Sequence, residues 1–285
     1  MRINHNISSM ATQSSLFKTN REMGKSLEKL STGLRINRAS DDAAGLAISE
    51  NIRKQVIGMT QAQRNAMDGQ SMLQIAEGAA GEISDILQRM RELSVQSAND
   101  TLTSTERSYA NQEFSALRSE IDRIANVTTY NGMELISSST SRFGITGATS
   151  NTAFWISAGS VVGTDSLTIT IDTLSVSSMS SNLATANLTT QGNATAAMSY
   201  IDTAINYVNN TRADIGAYVN RLDHAVNNLL VGETNQAAAE SLIRDVDFAS
   251  ETSNFTKNQI LMQSGTAMLS QANMAPQSVL SLLSR

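Results

Sequence analysis

Cysteine is absent from the 285 residues, which excludes disulfides, thiol catalysis and cysteine-ligated zinc. Histidine is nearly absent: His5 and His224 are the two present. No Ser-His-Asp or carboxylate–histidine cluster can be built from their spacing. Proline occurs once and aromatic residues make up 4% of the chain. With so few helix breakers and so few bulky core anchors, long helices packed through small residues are expected. Charged residues are 16% of the chain and the net charge is −5, a balance unsuited to nucleic-acid binding. No apolar run reaches the roughly 18 residues of a membrane span, so no membrane partner is expected. The first twenty residues lack a basic stretch followed by an apolar one, so no Sec-type signal peptide is expected. No phosphate-binding glycine motif is present, and no cofactor is implied.

What the chain has in quantity is heptad pattern. Stepping by four and three from Ile48 gives Ile52, Gln55, Met59, Ala62, Ala66, Gly69, Leu73, Ala76, Ala80, Ile83, Leu87 and Met90. All but Gln55 and Gly69 are apolar, which is the seam of coiled-coil-like packing. A helix over 48–97 would be about 75 Å long. Gly58, Gly69, Gly78 and Gly81 lie inside it, each costing about 1 kcal/mol of helix propensity, so close neighbours are expected around them. Thr103 and Glu106 have the spacing of a capping box ahead of a second helix, whose seam is Ala110, Phe114, Leu117, Ile121 and Ile124. Asn131-Gly132 ends that run with turn chemistry. A third seam runs Met198, Ile201, Ile205, Val208, Arg212, Ile215, Val219, Leu222, Val226 and Leu229. It turns polar at Glu233, Gln236 and Glu240, which suggests a boundary between structural segments.

Between the arms, residues 137–195 hold 25 of the chain's 65 Ser and Thr. That composition predicts a solvent-facing segment tolerant of change, with candidate O-glycan hydroxyls. Within it Leu167, Ile169 and Ile171 alternate with polar residues, and Phe154-Trp155-Ile156 forms a second apolar run, so a small hairpin is expected. The chain ends are amphipathic. Ile3, Ile7, Met10 and Phe17 share one face, and Leu16, Met23, Leu27, Leu30 and Leu34 another. Phe248, Phe255, Met262 and Leu269 recur every seven residues, and Val279, Leu280, Leu282 and Leu283 close the chain. Isolated helices of this length are marginal in water and need a partner, either the opposite end or another copy. The expected fold is therefore mainly α. Long antiparallel helices form a coiled-coil-like bundle, with paired terminal helices and a small β-hairpin region. The expected segments are 1–45 with 240–285, 46–136 with 196–239, and 137–195. The candidate polymerisation contacts are Ile3, Ile7, Met10, Leu27, Leu30, Leu34, Phe248, Phe255, Met262, Leu269, Leu280 and Leu283.

Asp41-Asp42, after Ser40, read as N-capping anions; a metal would need further oxygen ligands at fixed spacing. Asp245 and Asp247 read as surface charges or ion-pair partners. The Asn-x-Ser/Thr triplets at Asn6, Asn99, Asn126, Asn187, Asn193, Asn209 and Asn254 arise by chance in a chain rich in these residues. Nothing in the sequence supplies an enzyme site.

Four stretches carry a family resemblance. "LSTGLRINRASDDAAGLAISENIRKQ" (30–55), "LQRMRELSVQSAND" (87–100), "IDRIANVTTYNGMEL" (121–135) and "NQILMQSGTAMLSQANMAPQSVLSLL" (258–283) resemble the bacterial flagellins. The resemblance implies a helical homopolymer for swimming motility, with the chain ends paired inside a tubular filament and the longer helices in the next layer. Only about 60 residues separate the arms, which implies a thin, smooth filament without large outer domains. It further implies an extracellular subunit exported without a cleaved signal peptide. Its partners would be a flagellar export chaperone at the C-terminal segment, a filament cap and hook–filament junction proteins. A vertebrate Toll-like receptor for flagellin is a further implied partner, met through Arg89, Leu93 and Glu113. Arg89 and Leu93 are four apart and lie off the Leu87–Met90 seam, so both are expected to point away from it. A hook–filament junction protein is the nearest alternative. Those proteins tend to carry proline after Ser-Asp-Asp, where this chain has Ala43. An unrelated secreted coiled-coil adhesin is a more distant one.

Overall fold

The computed structural model describes residues 6–137, 152–159, 161 and 163–283, the side chains of Thr152 and of 275–283 excepted. Ile3 and His5 therefore lie outside the described residues, as do the side chains of Leu280 and Leu283. The helices are α1 (Ile7–Thr32), α2 (Ala43–Ala98), α3 (Ser104–Val127), a one-turn α4 (Val176–Met179), α5 (Gln191–Arg244) and α6 (Phe248–Leu283). The strands are β1 (Thr129–Tyr130) with β2 (Met133–Glu134), and β3 (Thr152–Trp155) with β4 (Ser166–Ile169). Both strand pairs are antiparallel, and β3–β4 sets Phe154 opposite Leu167. The expected mainly-α fold with a small β-hairpin region is the one found; the β1–β2 pair flanking the Asn131-Gly132 turn is an addition.

Contacts divide the chain into two units. One comprises residues up to Gln55 with those from Thr234, the other Val56–Glu233.

In the Val56–Glu233 unit, every seam position of α2 from Ala62 to Met90 is buried. Leu73, Ile83, Leu87 and Met90 pack with Phe114 and Ile121 of α3 and with Ile201, Val208, Ile215 and Leu222 of α5. Burying each Leu, Ile or Phe contributes about 1.5–3 kcal/mol. Around the core, Gln70 hydrogen-bonds Asp223, Thr60 donates to Glu233 at 3.0 Å, and Arg91 pairs with Asp202 at 2.6 Å. Rising numbers on α2 thus meet falling numbers on α5, which is antiparallel pairing. The capping box forms as expected: the Thr103 hydroxyl accepts the Glu106 N–H, and the Glu106 carboxylate accepts the Thr103 N–H at 2.7 Å. Asn131 (φ 50°) and Gly132 (φ 73°) supply the two left-handed residues that the β1–β2 turn requires.

The helix glycines divide two and two. A Cβ on Gly58 would lie 2.7 Å from the Ala158 Cβ, and one on Gly69 would lie 3.1 Å from the Phe154 ring, so both make room for the hairpin segment. Gly78 and Gly81 have nothing within 4 Å of such a Cβ, so the expected close packing is missing there.

The middle segment also departs from expectation. It does not simply face solvent: Leu167, Ile169, Ile171, Leu174, Val176, Met179, Leu183 and Leu188 are all in the core. The polar face of α3 holds this stretch by its backbone. Asp122 accepts the Val176 N–H at 3.0 Å, Asn111 accepts the Leu188 N–H at 2.9 Å, and Arg118 donates to the Ala184 carbonyl at 2.7 Å. Side chains that look like solvated surface in sequence thus satisfy backbone groups that burial would otherwise leave unpaired.

The polar stretch at Glu233, Gln236 and Glu240 does not interrupt α5, which continues to Arg244. The division between the units nonetheless falls at Glu233.

Candidate functional site

The amphipathic ends form one antiparallel helix pair. The Asn6 side chain accepts the Ser9 N–H at 3.1 Å as the N-cap of α1 and donates to the Ala272 carbonyl of α6 at 2.8 Å. Ser9 donates to Asn273 at 2.8 Å. Leu16 lies 3.0 Å from where a Cβ on Gly265 would stand, and Gly33 at the far end of α1 lies beside the Phe248 ring. On α1 the heptad series Ser9, Thr12, Leu16, Thr19, Met23, Ser26 and Leu30 is less exposed, with Glu28 and Lys29 half-buried beside its end. The less exposed positions of α6 are Glu251, Phe255, Asn258, Met262, Gly265, Leu269 and Ala272. Both series step by three and four, so each helix turns one heptad seam to the other. These seams carry many small and polar residues, so the pair buries little apolar surface.

A short segment closes the unit. Gly33 (φ 74°) ends α1, and its N–H donates to the Lys29 carbonyl at 2.9 Å. The Arg35 N–H donates to the Arg244 carbonyl at 2.6 Å, and the Val246 N–H donates to the Gly33 carbonyl at 3.0 Å. The Arg35 guanidinium donates to the Ile243 carbonyl at 2.6 Å, capping the end of α5. Arg244 pairs with Glu50 of α2 at 2.8 Å. Asp42 caps α2 by accepting the Gly45 N–H at 2.9 Å, as its position suggested. Asp41 does a different job, accepting the N–H groups of Arg38 and Asn37 at 3.0 and 3.3 Å. These backbone bonds, the Arg38 one first, hold its carboxyl below the usual range despite partial desolvation, with help from Lys29 and Lys25. Asp247 is not merely a surface charge: its carboxylate accepts the Ala249 N–H at 2.9 Å and so caps α6.

The sequence candidates divide between the seam and the outside of this pair. Leu30, Phe255, Met262 and Leu269 are half-buried on the seams, and Leu34 is half-buried where it bridges to Asp245. Ile7, Met10, Leu27 and Phe248 are exposed, Ile7 at 68%. Sequence reasoning missed the matching row on α6. Ile260, Leu261, Met268 and Met274 are exposed, and Phe17 of α1 is exposed at 69%. Their signal was legible, because 261–268 and 260–274 follow seven-residue steps offset from the Phe255 series. Nine large apolar side chains are thus left exposed on α1 and α6, more than scattered surface residues would account for.

The second candidate group lies on α2 and α3. Arg89 pairs with Glu113 at 2.9 Å and with Glu92 at 3.0 Å, and all three side chains are exposed. The bond to Glu113, then that to Glu92, raises the pKa of the Arg89 guanidinium. Leu93 does not point away as expected. It is 3% exposed and belongs to the core, because α3 and α5 cover the α2 face on both sides of the narrow seam.

Among the described residues, no cluster of His, Cys, Asp and Glu could hold a metal ion, and no helix is long and apolar enough to cross a membrane. His224 is exposed.

Known proteins agree with this architecture. The bacterial flagellin N-terminal helical region matches residues 3–141, and the bacterial flagellin C-terminal helical region matches residues 198–283. Flagellin FlaB2 of Treponema pallidum (strain Nichols) is 46% identical, over 99% of this chain and 100% of its own. The flagellar filament 33 kDa core protein of Treponema phagedenis is 47% identical over the same shares. The crystal structure of Bacillus cereus flagellin superposes with a TM-score of 0.50 at 33% identity, covering 62% of this chain and 94% of that one. Full-length similarity to filament proteins does not favour the hook–filament junction alternative. The chain belongs to the bacterial flagellin family and is a structural subunit of the flagellar filament.

Proposed function

We propose that the α1–α6 pair is the assembly element, with each helix presenting one seam to its partner helix and a second apolar face to neighbouring copies. The observation that carries this is the exposed set Ile7, Met10, Phe17 and Leu27 on α1 with Ile260, Leu261, Met268 and Met274 on α6. Burying each on assembly contributes about 1.5–3 kcal/mol, before the loss of rotational freedom. On this reading the terminal segments 1–45 and 240–285, with Ile3, Phe248, Leu280 and Leu283, line the filament interior. Segments 46–136 and 196–239 form the surrounding layer, and 137–195 forms its tip. The subunit leaves the cell unfolded, through the flagellar export apparatus and without a cleaved signal peptide. A chaperone covers the C-terminal segment before export, and the cap and hook–filament junction proteins receive it at the filament ends. The test is seeded elongation by the full-length double variant Phe17→Glu, Leu261→Glu. Both side chains are exposed in the subunit, so its circular dichroism should match wild type while elongation is lost. Normal elongation by this variant defeats the reading.

A second reading concerns the Arg89–Glu113 pair. Both side chains are exposed and together offer a charged, hydrogen-bonding feature suited to a vertebrate Toll-like receptor for flagellin. Leu93 supports that surface from beneath, being buried. Reporter cells given monomeric protein should respond to wild type, and far less to the Arg89→Ala, Glu113→Ala variant. An equal response to both, or none to wild type, removes this reading.

A further inference from the structure

Methionine is the only sulfur in this chain: there are 13 Met and no Cys. Met72, Met90 and Met179 are buried at 3%, 0% and 3% exposure, whereas Met10, Met268 and Met274 are exposed at 62%, 60% and 57%. Those three lie on the terminal helix pair, and its antiparallel register brings them to one end. Asn6 bonds to Ala272 and Ser9 to Asn273, so Met10 stands level with the stretch that carries Met268 and Met274. Met268 also lines a surface furrow between the two helices with Thr12, Leu16, Leu261 and Gly265.

We propose that Met10, Met268 and Met274 form an oxidation site that switches assembly competence: peroxide converts them to sulfoxides in the free subunit, and the oxidised subunit no longer adds to a filament. This rests on the assembly reading above. In the reaction a sulfur lone pair attacks one peroxide oxygen. The S–O bond forms as the O–O bond breaks, the sulfur loses two electrons, and the peroxide leaves as water. No thiol in the chain competes for the oxidant. The product carries a strong dipole and an acceptor oxygen in place of an apolar sulfur, so the face that neighbours must bury becomes polar and unsatisfied. A dithiol-dependent methionine sulfoxide reductase reverses the change: the sulfoxide oxygen leaves as water while the dithiol closes to a disulfide. Once a filament has formed, neighbouring copies cover the three side chains and oxidation is slow.

The test treats full-length monomer with hydrogen peroxide, maps oxidised peptides by mass spectrometry, and measures seeded elongation. Met10, Met268 and Met274 should gain oxygen well before Met72, Met90 and Met179, and elongation should fall as they do. In filaments given the same treatment the three should stay reduced. The Met10→Leu, Met268→Leu, Met274→Leu variant keeps Met67, which is 46% exposed on α2 outside the pair. After peroxide it should elongate at its untreated rate. Equal sensitivity of this variant overturns the proposal, and so does full-rate elongation by wild type oxidised at all three positions. If leucine itself impairs elongation, reductase treatment of oxidised wild type decides. Recovery of elongation as the three thioethers return supports the proposal, and no recovery overturns it. Failure of the underlying assembly reading shows separately, as normal elongation by unoxidised Phe17→Glu, Leu261→Glu protein.

Discussion

At the start of α3 one carboxylate does two jobs. Glu106 accepts the Thr103 N–H and the Thr103 hydroxyl, and both bonds favour its ionised form, outweighing desolvation. Its pKa in the folded chain is therefore below the ordinary value of 4.5. The sign follows: this contribution to stability is complete above the unfolded value and is lost as pH falls through the folded one. Glu106→Gln keeps an acceptor but does not titrate, so its melting temperature should fall less steeply than wild type between about pH 6 and 3. Parallel pH dependences for the two proteins refute this. Gly45 presents a steric case. A Cβ there would collide with the Asp42 carboxylate that caps α2 and would stand 2.8 Å from Ile36 Cδ1. Gly45→Ala should cost about 1–2 kcal/mol in denaturant melts, through loss of the cap or displacement of Ile36, although alanine is the better helix former.

Among the elements, α2 shows both what pattern reveals and where it fails. Its seam is buried from Ala62 to Met90, so Leu73→Ala, which removes a fully buried side chain, should destabilise the Val56–Glu233 unit by about 2–5 kcal/mol in urea. The same seam is open at its start, where Ile48 is 53% exposed. Heptad spacing identifies a face that packs, but not how far along the helix its neighbours reach. Leu93 shows a related limit, since an element enclosed by two helices buries more than a two-residue seam. The capping box and the Asn131-Gly132 turn were legible because their chemistry is local. The burial of Val176 and Leu188 was not, because it depends on Asp122 and Asn111 of a distant helix meeting their backbone. The outer row of α6 was legible in principle, but the stronger Phe255–Met262–Leu269 recurrence beside it masked it.

For the molecule as a whole, apolar burial is divided unequally. Among the described residues, Ile36 is the only large apolar side chain buried outside Val56–Glu233, while that unit holds a continuous core from Ala66 to Leu222. The α1–α6 pair meets through Ser9, Thr12, Thr19, Ser26, Asn258 and Gly265 as much as through Leu16, Met23, Met262 and Leu269. Each heptad therefore gains less than a fully apolar seam would. Helix propensity alone sustains neither helix in water. Local opening is least costly where few apolar contacts are lost, so amide exchange should be graded. In the free subunit, amides of 10–32 and 252–274 should exchange at least about a hundredfold faster than those of 66–93, since 2.7 kcal/mol less local stability gives that ratio. On the assembly role proposed for α1 and α6, polymerisation should slow the terminal amides towards the core rate, leaving residues 66–93 nearly unchanged. Hydrogen–deuterium exchange by mass spectrometry on monomer and filament reads both. Equal protection of the two regions in the monomer would mean that the polar seams pack far better than their composition allows. An unchanged terminal rate in the filament would mean that other surfaces carry the assembly.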